Sequence, residues 1–167
     1  IDGTEVVAVN VNTDGSNFLH RIDASTGEVI IQVPNPSNYF FTQTKYINSD
    51  FAVSAVRNPA GEMSLVKVNL SNGDTETLIP FSYNVLGYPF VKSDTVYFTM
   101  ADAYNNSTAI KPADRIFAVS LADKKLIRLT SNQNGVYHPS VNSNGDMVFA
   151  AFTADGTRLV KLNASQL

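Results

Sequence analysis

Apolar and polar residues alternate with a period of two along most of the chain. The alternation is clearest in TEVVAVNV (4–11), FAVSAV (51–56), TVYFTM (95–100) and DMVFAAF (146–152). These segments are rich in β-branched and aromatic residues, which favour extended strands. No ten-residue segment combines helical periodicity with a capping residue. The sequence therefore predicts an all-β protein built from short strands.

Glycine-containing turns separate these strands. They are Asp14-Gly15, Thr26-Gly27, Ala60-Gly61, Asn72-Gly73, Asn144-Gly145 and Asp155-Gly156. Asn-Gly and Asp-Gly are typical of two-residue hairpins of type I′, in which both central residues have positive φ. We therefore expect neighbouring strands to be antiparallel.

A unit of four strands recurs about every 45 to 50 residues, which is the period of a β-propeller blade. One strand of the unit ends in a small polar residue and reads FLHRID (18–23), LVKVN (65–69), IFAVS (116–120) and LVKLN (159–163). Pro89 and Pro139 take the same place in successive units. Each is predicted at the start of a strand, where proline is tolerated.

The predicted repeats span residues 1–37, 38–84, 85–134 and 135–167. The first repeat lacks its first strand and the last lacks its final strand. Because an open propeller leaves unpaired strand edges, we expect residues 1–167 to form one segment of a larger propeller. The remaining blades would come from the same polypeptide or from another chain. A compact four-bladed closure and the association of two copies are the alternatives.

Residues 135–163, GVYHPSVNSNGDMVFAAFTADGTRLVKLN, resemble the TolB-type, WD40-like propeller repeat. The matching positions are Gly135, Pro139, Val141, Ser143, Gly145, Asp155, Gly156 and Asn163. Asn144 replaces the usual aspartate, and the chain has no tryptophan. KKLIRLTSNQNGVYHP (124–139) resembles the junction between two blades of that family. The resemblance implies a bacterial propeller protein of the periplasm, cell envelope or extracellular space.

Composition excludes several classes of function. Net charge is −3 and no Lys/Arg run exists, whereas nucleic-acid binders need a basic surface. The chain contains no cysteine and no apolar run of the roughly 20 residues that a membrane span requires. G-x-S-x-G and H-E-x-x-H are absent, and His20 and His138 are the two histidines. We therefore predict no catalytic residue, metal site or cofactor within this chain.

Two groups of residues are candidates for ligand contact. Tyr88 and His138 each precede a blade proline, and Tyr137 adjoins His138. In a propeller, the strand they begin lines the central channel, so the three side chains are predicted to form a rim at its mouth. The alternative is packing against neighbouring blades.

The other group lies in the long insertion ADAYNNSTAIKPADR (101–115), which replaces a short turn. Long loops on a rigid scaffold often carry function. Tyr104, Asn105, Asn106 and Lys111 are its candidates for ligand contact, and a tolerated surface insertion is the alternative.

The favoured hypothesis is a non-catalytic binding or scaffold module of a larger exported bacterial protein, with a protein, peptide or glycan ligand. The resemblance also implies an alternative, the gating propeller of a prolyl-oligopeptidase-type serine peptidase whose catalytic domain lies outside this chain. A purely structural spacer is a third hypothesis. The phenylalanines on the strands, Phe40, Phe149 and Phe152 among them, are predicted to form the core between blades.

Overall fold

The computed structural model describes residues 3–102, 113–131 and 134–167. Fourteen antiparallel strands in this part of the chain form four sheets. The first sheet contains β1 (Glu5–Val11), β2 (Asn17–Asp23) and β3 (Val29–Val33); the second contains β4 (Phe40–Tyr46), β5 (Phe51–Arg57), β6 (Met63–Asn69) and β7 (Thr75–Ser82). The third contains β8 (Leu86–Lys92), β9 (Thr95–Ala101), β10 (Asp114–Ser120) and β11 (Leu126–Arg128); the fourth contains β12 (Val136–Val141), β13 (Met147–Thr153) and β14 (Gly156–Leu162).

Each sheet is a meander in which strands that follow one another along the chain are hydrogen-bonded neighbours. The first and last sheets have three strands and the two middle sheets have four. The all-β prediction is therefore confirmed, as are antiparallel pairing and incomplete first and last repeats. A short 3-10 turn, Ala164–Gln166, follows β14. In the described part of the chain, we find no helix of the length and apolar character that crossing a bilayer requires.

The chain divides into two compact units, Ile1–Tyr83 and Asn84–Leu167. The first unit contains the first two sheets, which share a core that includes Leu19, Val33 and Phe41. The second unit contains the other two sheets, whose core includes Met147 and Phe149. Membership of all 167 residues in one propeller segment stays a prediction.

The prediction that the strand phenylalanines form the core is correct for some and wrong for others. Phe41 and Phe149 are buried, with 1% and 2% of their surface exposed. Phe40 and Phe152 are 43% and 58% exposed. Successive side chains of a strand point to opposite faces of the sheet. Phe40 therefore faces away from the core that Phe41 enters, and Phe152 faces away from the core around Phe149.

The hairpins differ from the predicted type I′ turns. Gly27 and Gly73 both have φ of 76°, but the residues before them, Thr26 and Asn72, do not have positive φ. The glycine N–H bonds to the carbonyl four residues earlier, that of Asp23 or Asn69, at 2.9 Å in both turns. Longer hairpin loops often pair an ordinary turn with one left-handed residue, and glycine adopts that conformation without a Cβ clash.

These turns explain why the repeated strand ends in a small polar residue. The Asp23 Oδ1 atom accepts hydrogen bonds from the N–H groups of Ser25 and Thr26 at 2.8 and 2.9 Å. Asn69 Oδ1 accepts the Ser71 N–H at 2.9 Å in the same way. A short side chain that bonds the backbone two residues ahead initiates the turn.

The Asp23 turn predicts a pH dependence of stability. Hydrogen bonds from Ser25 and Thr26 lower the pKa of Asp23 to about 2. Because the folded protein favours the charged form, this contribution is fully present above the unfolded pKa of about 4 and is lost as pH falls toward 2. Asn69 shows that asparagine holds the same turn. We therefore expect Asp23→Asn to lose less stability than the wild type between pH 6 and pH 2.5.

Urea unfolding at several pH values measures this difference, and an NMR titration of the Asp23 carboxyl locates its pKa. An Asp23 carboxyl that titrates near 4 would contradict the prediction.

Candidate functional site

Tyr88, Tyr137 and His138 lie together within the unit Asn84–Leu167 and are called the aromatic cluster below. The ring centroids of Tyr88 and His138 are 3.9 Å apart, with the planes inclined at 51°. The Tyr88 and Tyr137 rings form an edge-to-face contact, with their planes at 87° and their centroids 6.5 Å apart. Tyr88 is 38% exposed and His138 is also exposed.

The backbone brings the two exposed rings together through matching irregularities in β8 and β12. Tyr88 has φ of 54° and His138 has φ of 57°. The pairing of each strand with its neighbour shifts at this point, between Gly87 and Phe90 in β8 and between Tyr137 and Ser140 in β12. The first strands of the third and fourth sheets, β8 and β12, thus have equivalent bulges. Each bulge positions one exposed ring, that of Tyr88 or His138.

The prediction that Pro89 and Pro139 begin their strands is wrong, since β8 begins at Leu86 and β12 at Val136. Both prolines lie at the bulges instead. Proline has no N–H to donate to a strand ladder, and a bulge interrupts the ladder locally. The bulge, not the strand end, is what accommodates each proline.

The conformation of Tyr88 and His138 costs energy. A residue other than glycine in the left-handed region is disfavoured by about 1–2 kcal/mol. Such residues persist when the surrounding structure fixes them, and they concentrate at ligand-binding and active sites. The repetition of this cost at two equivalent positions makes the aromatic cluster the leading candidate site.

Tyr137 is held in place by Asp114 of β10. Its hydroxyl donates a 2.6 Å hydrogen bond to Asp114 Oδ2. This bond, with burial and the carboxylate charge, raises the pKa of Tyr137 to about 12 because it favours the neutral phenol. Gly135 leaves space for the hydroxyl, since a Cβ at that position would lie 2.5 Å from Tyr137 Oη. Tyr137 is therefore a neutral side chain, held in position by Asp114, against which the Tyr88 ring packs.

The remaining predicted site residues, Tyr104, Asn105, Asn106 and Lys111, lie outside the described residues. Asp114 lies within the insertion 101–115 but was not among the predicted site residues, because its partner Tyr137 is 23 residues away in the sequence. His20 is in the other unit, where its Nε2 is 3.3 Å from Gln32 Oε1. Among the described residues, no three His, Cys, Asp or Glu side chains are grouped so as to hold a metal ion.

The aromatic cluster is suited to recognition by contact. The exposed Tyr88 and His138 rings offer apolar surface to a planar or aliphatic group, and the imidazole nitrogens add hydrogen-bonding capacity.

Comparison with solved structures supports the architecture. TolB from Acinetobacter baumannii superimposes with a TM-score of 0.72 at 13% identity, over 96% of this chain and 39% of that one. A putative TolB from Agrobacterium tumefaciens gives 0.66 at 11% identity, over 97% and 60%. The tricorn protease gives 0.65 at 16% identity, over 89% and 14%.

This chain spans from 14% to 60% of the length of these three proteins. No protein-family model matches it, and a search of the curated proteins gives no match. The structural likeness and the four antiparallel sheets agree with the resemblance of residues 135–163. The chain has a β-propeller fold of the TolB type.

Proposed function

We propose that this chain is a non-catalytic binding module of a larger exported bacterial protein, and that it binds a protein or peptide segment at the aromatic cluster. The observation that carries the proposal is the exposed pair of Tyr88 and His138 rings in tilted contact, built on two left-handed residues at equivalent bulges. A periplasmic or cell-envelope location belongs to the same proposal. It is supported by the resemblance to the TolB-type repeat.

The physical case for a protein or peptide ligand is the rigidity of the cluster. Tyrosine is enriched among the residues that dominate protein interfaces, since a large ring is immobilised at a small entropic cost. Tyr88 lies against Tyr137, which Asp114 fixes in turn. A preorganised surface of this kind loses little conformational freedom when a partner binds.

Selection of peptides from a random phage-displayed library on the immobilised chain would test the proposal. Fluorescence anisotropy would then give the Kd of a selected peptide for the wild type, Tyr88→Asn and His138→Asn. Asparagine tolerates the left-handed region, so these variants remove a ring without adding backbone strain. We expect each to weaken binding at least tenfold, which corresponds to about 1.4 kcal/mol.

Tyr83→Asn is the control because Tyr83 is a 75% exposed tyrosine outside the cluster, and its Kd should equal that of the wild type. Selected peptides that bind Tyr88→Asn and His138→Asn as tightly as the wild type would place the site elsewhere. Failure to enrich any peptide, together with binding to immobilised glycans, would overturn a protein or peptide ligand.

One finding favours a second candidate, the gating propeller of a serine peptidase. The tricorn protease is among the similar structures, and this chain matches 14% of its length. Under this alternative, the chain would bind substrate peptides while chemistry took place in another domain. Sequencing the gene on both sides of the encoding segment distinguishes the two: an in-frame G-x-S-x-G followed by aspartate and histidine favours the peptidase.

A further inference from the structure

A second site lies in the unit Ile1–Tyr83 and is independent of the aromatic cluster. It is a cleft of about 410 Å³ between the starts of β2 and β4 and the turn that follows β5. Its lining includes Tyr39, Phe40, Thr42, Arg57 and Pro59, and we call it the Arg57 cleft. Its volume lies within the range of about 300–1,000 Å³ that small-molecule sites occupy.

The aromatic side of the Arg57 cleft is fixed by asparagine side chains. Asn17 is 5% exposed; its Oδ1 accepts the Phe41 N–H at 2.8 Å and its Nδ2 donates to the Phe41 carbonyl at 3.2 Å. Asn35 bonds both backbone groups of Tyr39, at 2.7 and 3.0 Å. Phe40 lies between these two anchored residues, so the backbone that carries its exposed ring is preformed.

Arg57 supplies a positive charge beside that ring. Phe40 and Arg57 are directly paired across β4 and β5, and such cross-strand neighbours have side chains in contact range. The guanidinium contacts Met63 Sδ at 4.0 Å. Within the described part of the chain, no carboxylate forms an ion pair with it. The nearby carboxylate of Glu62 is hydrogen-bonded to Asn58 Nδ2 at 2.9 Å.

Two of the neutral polar side chains that line the Arg57 cleft are already used by the fold. Thr42 Oγ1 donates to the Ala55 carbonyl at 2.9 Å, and Asn17 holds Phe41. Arg57 is the charged residue among those that line the cleft, so its guanidinium is the group suited to bind an anionic ligand. Its planar set of donors matches a carboxylate with two parallel hydrogen bonds.

We infer that the Arg57 cleft binds a carboxylate that carries an apolar or aromatic group. The carboxylate pairs with Arg57, and the apolar group lies against Phe40. Two sources share this chemistry: a small apolar carboxylic acid, and the C-terminus of a peptide whose last residue is apolar.

The probes for this site are N-acetylphenylalanine, a pentapeptide that ends in phenylalanine, and the C-terminal amide of each. Titration of the ¹⁵N-labelled chain, followed in ¹H–¹⁵N spectra, should shift the amide signals of Phe40, Thr42 and Asn58. Because hydrogen bonds between charged groups are the strong ones, we expect the amides to bind at least tenfold more weakly than the acids. A pentapeptide that binds more tightly than N-acetylphenylalanine identifies a peptide terminus, and equal affinities identify a small acid.

Arg57→Gln should weaken binding of both acids at least tenfold and leave binding of the amides unchanged. Phe40→Ala should weaken acids and amides alike, since it removes the apolar contact. Arg57 and Phe40 are exposed, and Arg158→Gln, at an exposed arginine of β14, is the control that should behave as the wild type. Equal affinities for acid and amide, wild-type affinity in Arg57→Gln, or no shift with any probe would each overturn the inference. Tyr88→Asn should leave these titrations unchanged, which separates this test from that of the aromatic cluster.

Discussion

Gly73→Ala is expected to destabilise the protein by about 2–5 kcal/mol. The φ of 76° at Gly73 alone costs an L residue about 1–2 kcal/mol. A Cβ would also collide with the Pro34 carbonyl oxygen and lie 2.7 Å from the Pro34 carbonyl carbon. Forced overpacking of this kind adds about 1–3 kcal/mol. Urea unfolding followed by circular dichroism measures the change in the free energy of unfolding.

Gly27 provides a matched control for this substitution. It has the same φ of 76° and the same hydrogen bond to the carbonyl four residues earlier. A Cβ on Gly27, however, would meet no atom within 4 Å. Gly27→Ala should therefore show the conformational cost alone, and the difference between the two variants isolates the contact with Pro34. Equal losses of stability would mean that the segment between β3 and β4 moves away at little cost.

Much of the fold could be predicted because the same strand patterns and turn residues recur in successive repeats. Period-two alternation identified β5, β9 and β13 to within a residue or two of their ends. The small polar residue that ends a repeated strand was visible at Asp23 and Asn69, and its role in the turn follows from known side-chain chemistry. These features are determined by residues close together in the chain, so they can be recognised from the sequence without knowledge of the tertiary contacts.

The errors arise where contacts over long distances in sequence decide the outcome. Pro89 and Pro139 suggested strand starts, but hydrogen bonding on both sides of each bulge extends β8 and β12 by two residues. Phe152 is as apolar as Phe149, and only the sheet face distinguishes them. The turn type was wrong because the hydrogen bond to a carbonyl four residues earlier leaves one left-handed position instead of two.

For the candidate sites too, some features could be predicted from the sequence and others required the three-dimensional structure. Alignment of the repeats was enough to select Tyr88 and His138, because each precedes a proline at the same place in its unit. The contact between their rings and the bond from Tyr137 to Asp114 depend on how two sheets pack within the second unit. The Arg57 cleft was not predicted at all, since the pairing of Phe40 with Arg57 appears only once the β4–β5 register is known.

The register of β13 leads to the other large prediction: Phe149→Ala is expected to destabilise the protein by about 3–5 kcal/mol. Phe149 is 2% exposed and packs in a core with Ile116, Val136 and Met147. Its truncation removes buried apolar contacts and leaves a cavity that rigid sheets fill poorly. Urea unfolding again measures the loss.

Phe152→Ala is the matched control, because Phe152 lies on the same strand with 58% of its surface exposed. Exposed substitutions of this kind usually change stability by about 0.5 kcal/mol or less. Phe149 and Phe152 are an odd number of residues apart, so they occupy opposite faces of the sheet. A shift of the strand by one residue would exchange every side chain between the two faces. A large loss in Phe152→Ala with a small one in Phe149→Ala would therefore show that β13 pairs in a different register.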